Sequence, residues 1–270
     1  MSALAVAAAV ILAGCGGGTV SIPIYTITPT SAPLRYEITT DGNSVVETPA
    51  GTQETPSRAE LILAVQYGAS TEAGTAVTVT FESVSVTQTM LGSTTDVDAS
   101  ELIGKSISAL IADDGSIEVT EKPEVSGPLA QVVNPKQVIS SFLPPLPPGG
   151  DVTLESWPDA DENVVEGPIT LTITRQGTAS FVADTMWSGR SARVIQTSGE
   201  TEFSGSGEAQ GAGEIDLSMD GDYSGSYVWD AAAGVLLSAT TQTEVTGMII
   251  GSGFSIPGTV TSQTTVRLLE

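Results

Sequence analysis

Apolar and polar residues alternate through stretch after stretch of this 270-residue chain, and that rhythm commits it to β-structure. Successive side chains of a strand point to opposite faces, so alternation builds one buried and one wet face. A helix would need apolar residues three and four apart. Leu34 to Thr40 alternates, as do Ala59 to Tyr67, Ala76 to Thr89 and Ile169 to Arg175. Between Ala76 and Thr89 the apolar positions are Val77, Val79, Phe81, Val84 and Val86. Their register changes between Phe81 and Val84, which predicts a bulge. Residues 178–187 and 190–197, Glu214 to Met219, Asp222 to Trp229, Val235 to Val245 and Thr259 to Leu269 read as further strands. The total is about 11–13 strands.

Turn residues punctuate this pattern. Asp41-Gly42 reads as a turn opening a polar loop over 43–57, and Gly68 to Gly74 as a second turn. Ile107 to Ala112 and Ile117 to Thr120 flank Asp113-Asp114-Gly115, a hairpin signal. Residues 198–213, rich in Gly, Ser and Glu, read as a long exposed hairpin. Two short helical segments are expected. Asp98 to Gly104 has a helical turn's start and stop residues, and Asn134-Pro135 is an N-cap with proline at the first helical position, opening Lys136 to Phe142. Leu143-Pro-Pro-Leu-Pro-Pro-Gly-Gly150 ends that helix and reads as a rigid connector rather than a ligand for a proline-reading domain.

Ala109 to Val119 and Tyr227 to Leu237 share a strand-Asp-Gly-strand theme in which aspartate caps the turn and glycine takes positive φ. The expected fold is therefore mainly β and antiparallel. Two β-rich halves, as curved sheets in a half-barrel or clam, are joined by the Pro-rich connector. The expected division is a leader over 1–14, a tether over 15–33, a first β half over 34–122, a connector over 123–163 and a second β half over 164–270. A filled core and an open groove predict the same alternation.

Composition removes most reaction chemistry. The chain has no histidine and one cysteine, so Ser-His-Asp and Cys-His machinery and nearly all zinc and copper sites are excluded. No cofactor is expected. Nine basic residues stand against 32 acidic ones, a net charge of −23, which repels nucleic acid and anionic headgroups. Aromatic residues make up 5% of the chain, too few for the two girdles of a transmembrane barrel.

The single cysteine ends Leu12-Ala13-Gly14-Cys15, after the apolar run Ala3 to Leu12. That run is shorter than the ~20 residues of a transmembrane helix. These four residues resemble the lipobox of bacterial lipoproteins, in which signal peptidase cuts before a lipidated cysteine. The resemblance implies that Leu12, Ala13 and Gly14 are the peptidase recognition residues and that Cys15 carries the acyl group. It implies a membrane-anchored protein of the cell envelope, and Gly16 in place of aspartate implies the outer membrane. No Lys or Arg precedes Arg35, so the usual basic head of a leader is expected upstream of Met1.

Carboxylate pairs are the one catalytic option left open, as in glycoside hydrolysis. Asp159, Asp161, Glu162 and Glu166 follow Trp157, an aromatic able to stack on sugar. Asp159-Ala-Asp161-Glu-Asn163 begins like a calcium loop, but Val164 and Thr170 occupy the positions where an EF-hand has Gly and Glu. Asp216, Asp220 and Asp222 form a second acidic group. A solvated linker is the expectation for the first group.

An extended Leu-Arg-Tyr36, Leu-Ile-Gly104 before an Asp-Asp-Gly hairpin, Leu-Pro-Pro before Trp157 and a late Trp229-Asp230 to Gly234 turn occur in that order. Together they resemble a group of uncharacterised β-rich bacterial envelope lipoproteins. The strand-Asp-Gly-strand theme is also similar to periplasmic lipoprotein carriers, whose half-barrels hold acyl chains on the concave face. The resulting expectation is a non-enzymatic envelope lipoprotein with a structural, interaction or assembly role and a lipid or envelope-protein partner. The alternative is a carrier of an apolar ligand, and a carboxylate-based hydrolase is a more distant one.

Overall fold

Alternation is realised in strands longer and more continuous than the sequence pattern implies. The computed structural model describes residues 26–90, 93–112, 115–124, 134–151, 153–165, 169–209 and 213–269. The strands are β1 (Leu34–Thr48), β2 (Gly51–Thr71), β3 (Gly74–Met90), β4 (Ser93–Val97), β5 (Ser106–Ile111), β6 (Ile117–Glu121), β7 (Ser156–Val165), β8 (Ile169–Trp187), β9 (Arg190–Ala209), β10 (Gly213–Asp230), β11 (Val235–Gly251) and β12 (Phe254–Leu269). One α-helix, α1 (Pro135–Ser140), and 3-10 turns at Ser100–Leu102 and Pro148–Gly150 complete the described elements. No helix among the described residues is long and apolar enough to cross a membrane.

All twelve strands lie in one antiparallel sheet, ordered β6-β5-β3-β2-β1-β12-β11-β10-β9-β8-β7, with β4 pairing β3. The chain starts in the middle, meanders to one edge, crosses through α1 to the other edge and meanders back. The expected division into two β halves is not a division between sheets, because β1 is hydrogen bonded to β2 on one side and to β12 on the other. Both true edges, β6 and β7, are blunted. Glu118 and Glu121 sit on one and Pro158, Asp159, Asp161 and Glu162 on the other, and charge and proline discourage edge-to-edge pairing.

Several expected loops are strand. Asp41 and Gly42 lie mid-strand, opposite Arg58 and Ser57 on β2 and Gln263 and Ser262 on β12. Residues 43–57 continue that hairpin, with the reversal at Pro49–Ala50. Residues 198–209 belong to an unbroken β9, and residues 156–163, expected in the connector, form β7. These segments are polar on both faces, so periodicity cannot mark them, yet each has a ladder to complete on a neighbouring strand. The chain is also fixed before β1 begins, where an unpacked tether was expected. The Thr30 amide donates to the Tyr67 carbonyl at 3.0 Å, and Ile27 packs on the core.

Other expectations match. In the β2–β3 ladder Ile62 faces Ser83 and Leu63 faces Phe81, so Glu82 is the bulged residue. The Asn134 side chain accepts from the Gln137 amide at 3.1 Å, capping α1. Asp230 accepts from the amides of Ala232 and Ala233, and Gly234 has φ +66°.

The core lies on the face that carries Tyr36, Leu63, Val65, Phe81, Ile107, Ile195 and Trp229. Val138, Ile139 and Phe142 drop into it from the α1 region, together with Leu143 and Leu146 of the Pro-rich segment. Phe142 stacks on Tyr36 with ring centroids 5.7 Å apart, and Trp157 Nε1 donates to the Pro145 carbonyl at 3.1 Å. The prolines therefore hold a packed strap across the face rather than a displayed ligand.

Candidate functional site

One lateral row of residues explains how the sheet bends. Gly42, Ser262, Thr243, Tyr223, Gly199, Gly177 and Asp159 are successive partners from β1 across β12, β11, β10, β9 and β8 to β7. Tyr223 Oη donates to Asp159 Oδ2 at 2.9 Å, although β10 and β7 are three strand spacings apart, about 14 Å in a flat sheet. That is farther than a tyrosine reaches, so the sheet curls sharply here. Glycine makes the curl possible. A Cβ on Gly177 would sit 2.5 Å from Tyr223 Oη and 2.9 Å from Gly199 Cα, and one on Gly199 would collide with the Gln176 carbonyl.

Asp159 is held inside this curl. Thr197 Oγ1 donates to the same Oδ2 that accepts from Tyr223, and the Arg175 guanidinium lies 5.5 Å from the centre of the Tyr223 ring. Burial, and then the Asp159 charge, push the Tyr223 hydroxyl up to about 12, so it stays a neutral donor at physiological pH. Two hydrogen bonds to one carboxylate oxygen tie β7, β9 and β10 together as a clasp.

Asp161 and the Glu162 backbone serve the strap. Asp161 pairs with Lys136 of α1 at 2.9 Å, and Lys136 also donates to the Glu162 carbonyl. Asn163 is buried and accepts from Asn134 Nδ2 at 3.3 Å. In an extended strand, positions 159, 161 and 163 line up about 7 Å apart, so the calcium-loop reading fails: its ligands cannot converge. Asp216, Asp220 and Asp222 are likewise spread along β10 rather than gathered at a turn. Among the described residues, no group of three or more His, Cys, Asp or Glu side chains is placed to hold a metal. Glu166, Leu12, Ala13, Gly14 and Cys15 lie outside the described residues.

The sheet also carries a feature that sequence reasoning missed. A groove of about 500 Å³ crosses β1, β12, β11 and β10. Three successive residues of each strand line it, Asp41 to Asn43, Thr261 to Gln263, Gln242 to Glu244 and Asp222 to Ser224, so it is centred on the row Gly42, Ser262, Thr243 and Tyr223. Arg58 pairs with Asp41 at 2.9 Å at one end. The lining offers amides, hydroxyls and carboxylates, with Asp222 directly opposite Glu244, and suits hydrogen bonding to a hydroxyl- or amide-bearing surface. Nothing in the local sequence marks it, because its residues converge only through pairings up to 222 positions apart, Asp41 with Gln263.

The chain matches no family model, and no curated protein matches it significantly. Three solved structures align over most of its length. DynF of the dynemicin biosynthesis pathway of Micromonospora chersina is 7% identical, covering 93% of this chain and 88% of that one, with a TM-score of 0.25. A Vibrio parahaemolyticus domain described as an outer membrane lipoprotein-sorting protein is 9% identical, covering 87% of each chain, with a TM-score of 0.16. An outer membrane channel from Pseudomonas putida F1 is 8% identical, covering 91% and 98%, with a TM-score of 0.21. At these identities and scores the likenesses carry no inference about this chain.

Proposed function

We propose that this protein is a non-enzymatic interaction protein of the cell envelope, held at the outer membrane by an acylated Cys15 and using the polar groove as its binding surface. The groove itself carries the reading: about 500 Å³ across four strands, lined by hydrogen-bonding side chains. Around Tyr36 the sheet is, by contrast, covered by Phe142 and its strap. A photo-crosslinker at Gln242 in intact cells should give one discrete adduct, absent when the crosslinker stands at Thr52 on the far hairpin. Equal adducts at both positions would overturn the groove assignment. For the anchor, Cys15→Ala should release the protein from membranes and abolish fatty-acid labelling; retention with labelling would refute it.

A second reading has its own observation. Ile215, Met219 and Val245 are buried outside the core cluster, and their neighbours on that face, Leu217, Ile249 and Val260, are half-buried. An apolar ligand would lie along this part of the curl. Native mass spectrometry of gently extracted protein would reveal it as a co-purifying lipid, and its reproducible absence would sink the carrier reading.

A further inference from the structure

The β8–β9 hairpin ends in the pair Trp187–Arg190, joined through Ser188 and Gly189 with φ of +45° and +80°. Apolar side chains stand exposed at this tip: Met186 is 66% accessible, Trp187 36%, and Val182, four residues back, 50%. The first half of the strand that follows the tip is also free of carboxylates, in an acidic molecule. No Asp or Glu occurs between Asp184 and Glu200, while Arg190 and Arg193, two of the chain's nine basic residues, fall there. Each arginine has an acid beside it, Asp230 at 3.9 Å and Asp184 at 3.4 Å.

The path of the chain's start limits how far this end of the sheet lies from Cys15. Asp230, beside Arg190, opens the turn that ends at Gly234, and a Cβ there would touch the Thr26 carbonyl at 2.5 Å and the Thr28 amide at 2.7 Å. The chain therefore enters the fold at the same end of the sheet as the exposed tip. From Cys15 to Thr26 is eleven residues, which span at most about 39 Å even fully extended. Anything holding Cys15 at a bilayer keeps this end of the sheet within that distance of it. Tryptophan with an adjacent arginine suits the interface, where the ring meets the acyl boundary and the guanidinium meets phosphate.

We propose that Met186 and Trp187 form a second contact with the bilayer, entering the headgroup–acyl boundary and orienting the sheet on the membrane. This rests on the reading of Cys15 as the anchor. The contact is weak alone and becomes effective because the anchor confines the tip near the surface.

Fluorescence tests it directly, because the other two tryptophans, Trp157 and Trp229, are only 3% and 1% accessible. Full-length protein is placed on phosphatidylcholine vesicles with brominated chains, in two forms: extracted from cells, and coupled through Cys15, its one cysteine, to a maleimide lipid. The expected result is that the acrylamide-accessible emission is lost to acrylamide and quenched by the brominated chains. Trp187→Phe should remove that component. Emission that stays accessible to acrylamide and unquenched on the coupled vesicles overturns the proposal. Extracted protein without an acyl mass sinks the anchor reading instead, and the coupled form still decides the tip.

Discussion

Replacing Gly177 by alanine tests whether the curl depends on a side-chain-free row. The new Cβ would lie 2.5 Å from Tyr223 Oη, 2.9 Å from Gly199 Cα and against the Ser198 carbonyl. Two of these are backbone atoms of the paired strand, so relief requires β8 and β9 to separate. Overpacking of this kind costs about 1–3 kcal/mol. Displacing Tyr223 also breaks its hydrogen bond to the Asp159 carboxylate, worth about 1.5–3 kcal/mol for a charged partner. The lost freedom of the unfolded chain returns about 0.4–1 kcal/mol, leaving a net destabilisation of about 2–5 kcal/mol. Urea denaturation measures this, and a cycle with Tyr223→Phe separates the two parts. In the Tyr223→Phe background Gly177→Ala should cost about 1.5–3 kcal/mol less, because the bond is already gone. Gly42→Ala on the same row is the control: its Cβ meets the rotatable Ser57 hydroxyl at 2.9 Å and otherwise nothing closer than 3.8 Å. It should move stability by under about 0.5 kcal/mol. Additive effects, or equal effects at Gly42 and Gly177, would refute the idea that the glycines set the curvature.

Phe142→Ala should cost about 3–5 kcal/mol by calorimetry, as expected for a buried phenyl, and loosen the strap without unpairing the strands. Asn134→Ala should cost about 1 kcal/mol or more through loss of the α1 cap, and Asn134→Asp should recover only the cap, because it removes the Nδ2 donor to buried Asn163. Stability should fall in alkali. Tyr36, Tyr67 and Tyr227 are buried with hydroxyls pushed well above their ordinary value, in each case chiefly by desolvation. A raised folded pKa leaves stability intact below the unfolded value near 10 and erodes it above. The slope is about 1.4 kcal/mol per pH unit for each tyrosine, so about 4 for the three together. Urea midpoints that stay flat from pH 10 to 11 would contradict their burial.

What was legible in the sequence was whatever one strand or turn decides by itself. Val77, Val79 and Phe81 announce β3, the slip before Val84 announces the Glu82 bulge, and Asn134-Pro135 announces α1. Asp230 and Gly234 form the turn their spacing predicts. What depends on a neighbour was hidden. Asp41-Gly42 has turn chemistry, but two flanking strands offer it a complete ladder, and the ladder wins. Asp159 looked like part of an acidic linker because its partners, Thr197 and Tyr223, are 38 and 64 residues away. The groove fails to show for the same reason: its polar side chains are ordinary solvent-facing strand residues until four strands place them side by side.

The pairing of β1 with β12 decides when this molecule can exist. Tyr36 of β1 lies opposite Leu268 of β12, 232 positions further along the chain. Until the final segment is available, one whole side of β1 has no partner, and the central seam of the sheet stays open. Such distant pairing makes folding slow and leaves an unsatisfied edge exposed meanwhile. Arg35, Glu37 and Asp41 along β1 supply the charge that discourages a foreign strand from occupying it. A polypeptide threaded through a membrane start-first would therefore remain unfinished until its tail arrived, with completion of the sheet deferred to the far side.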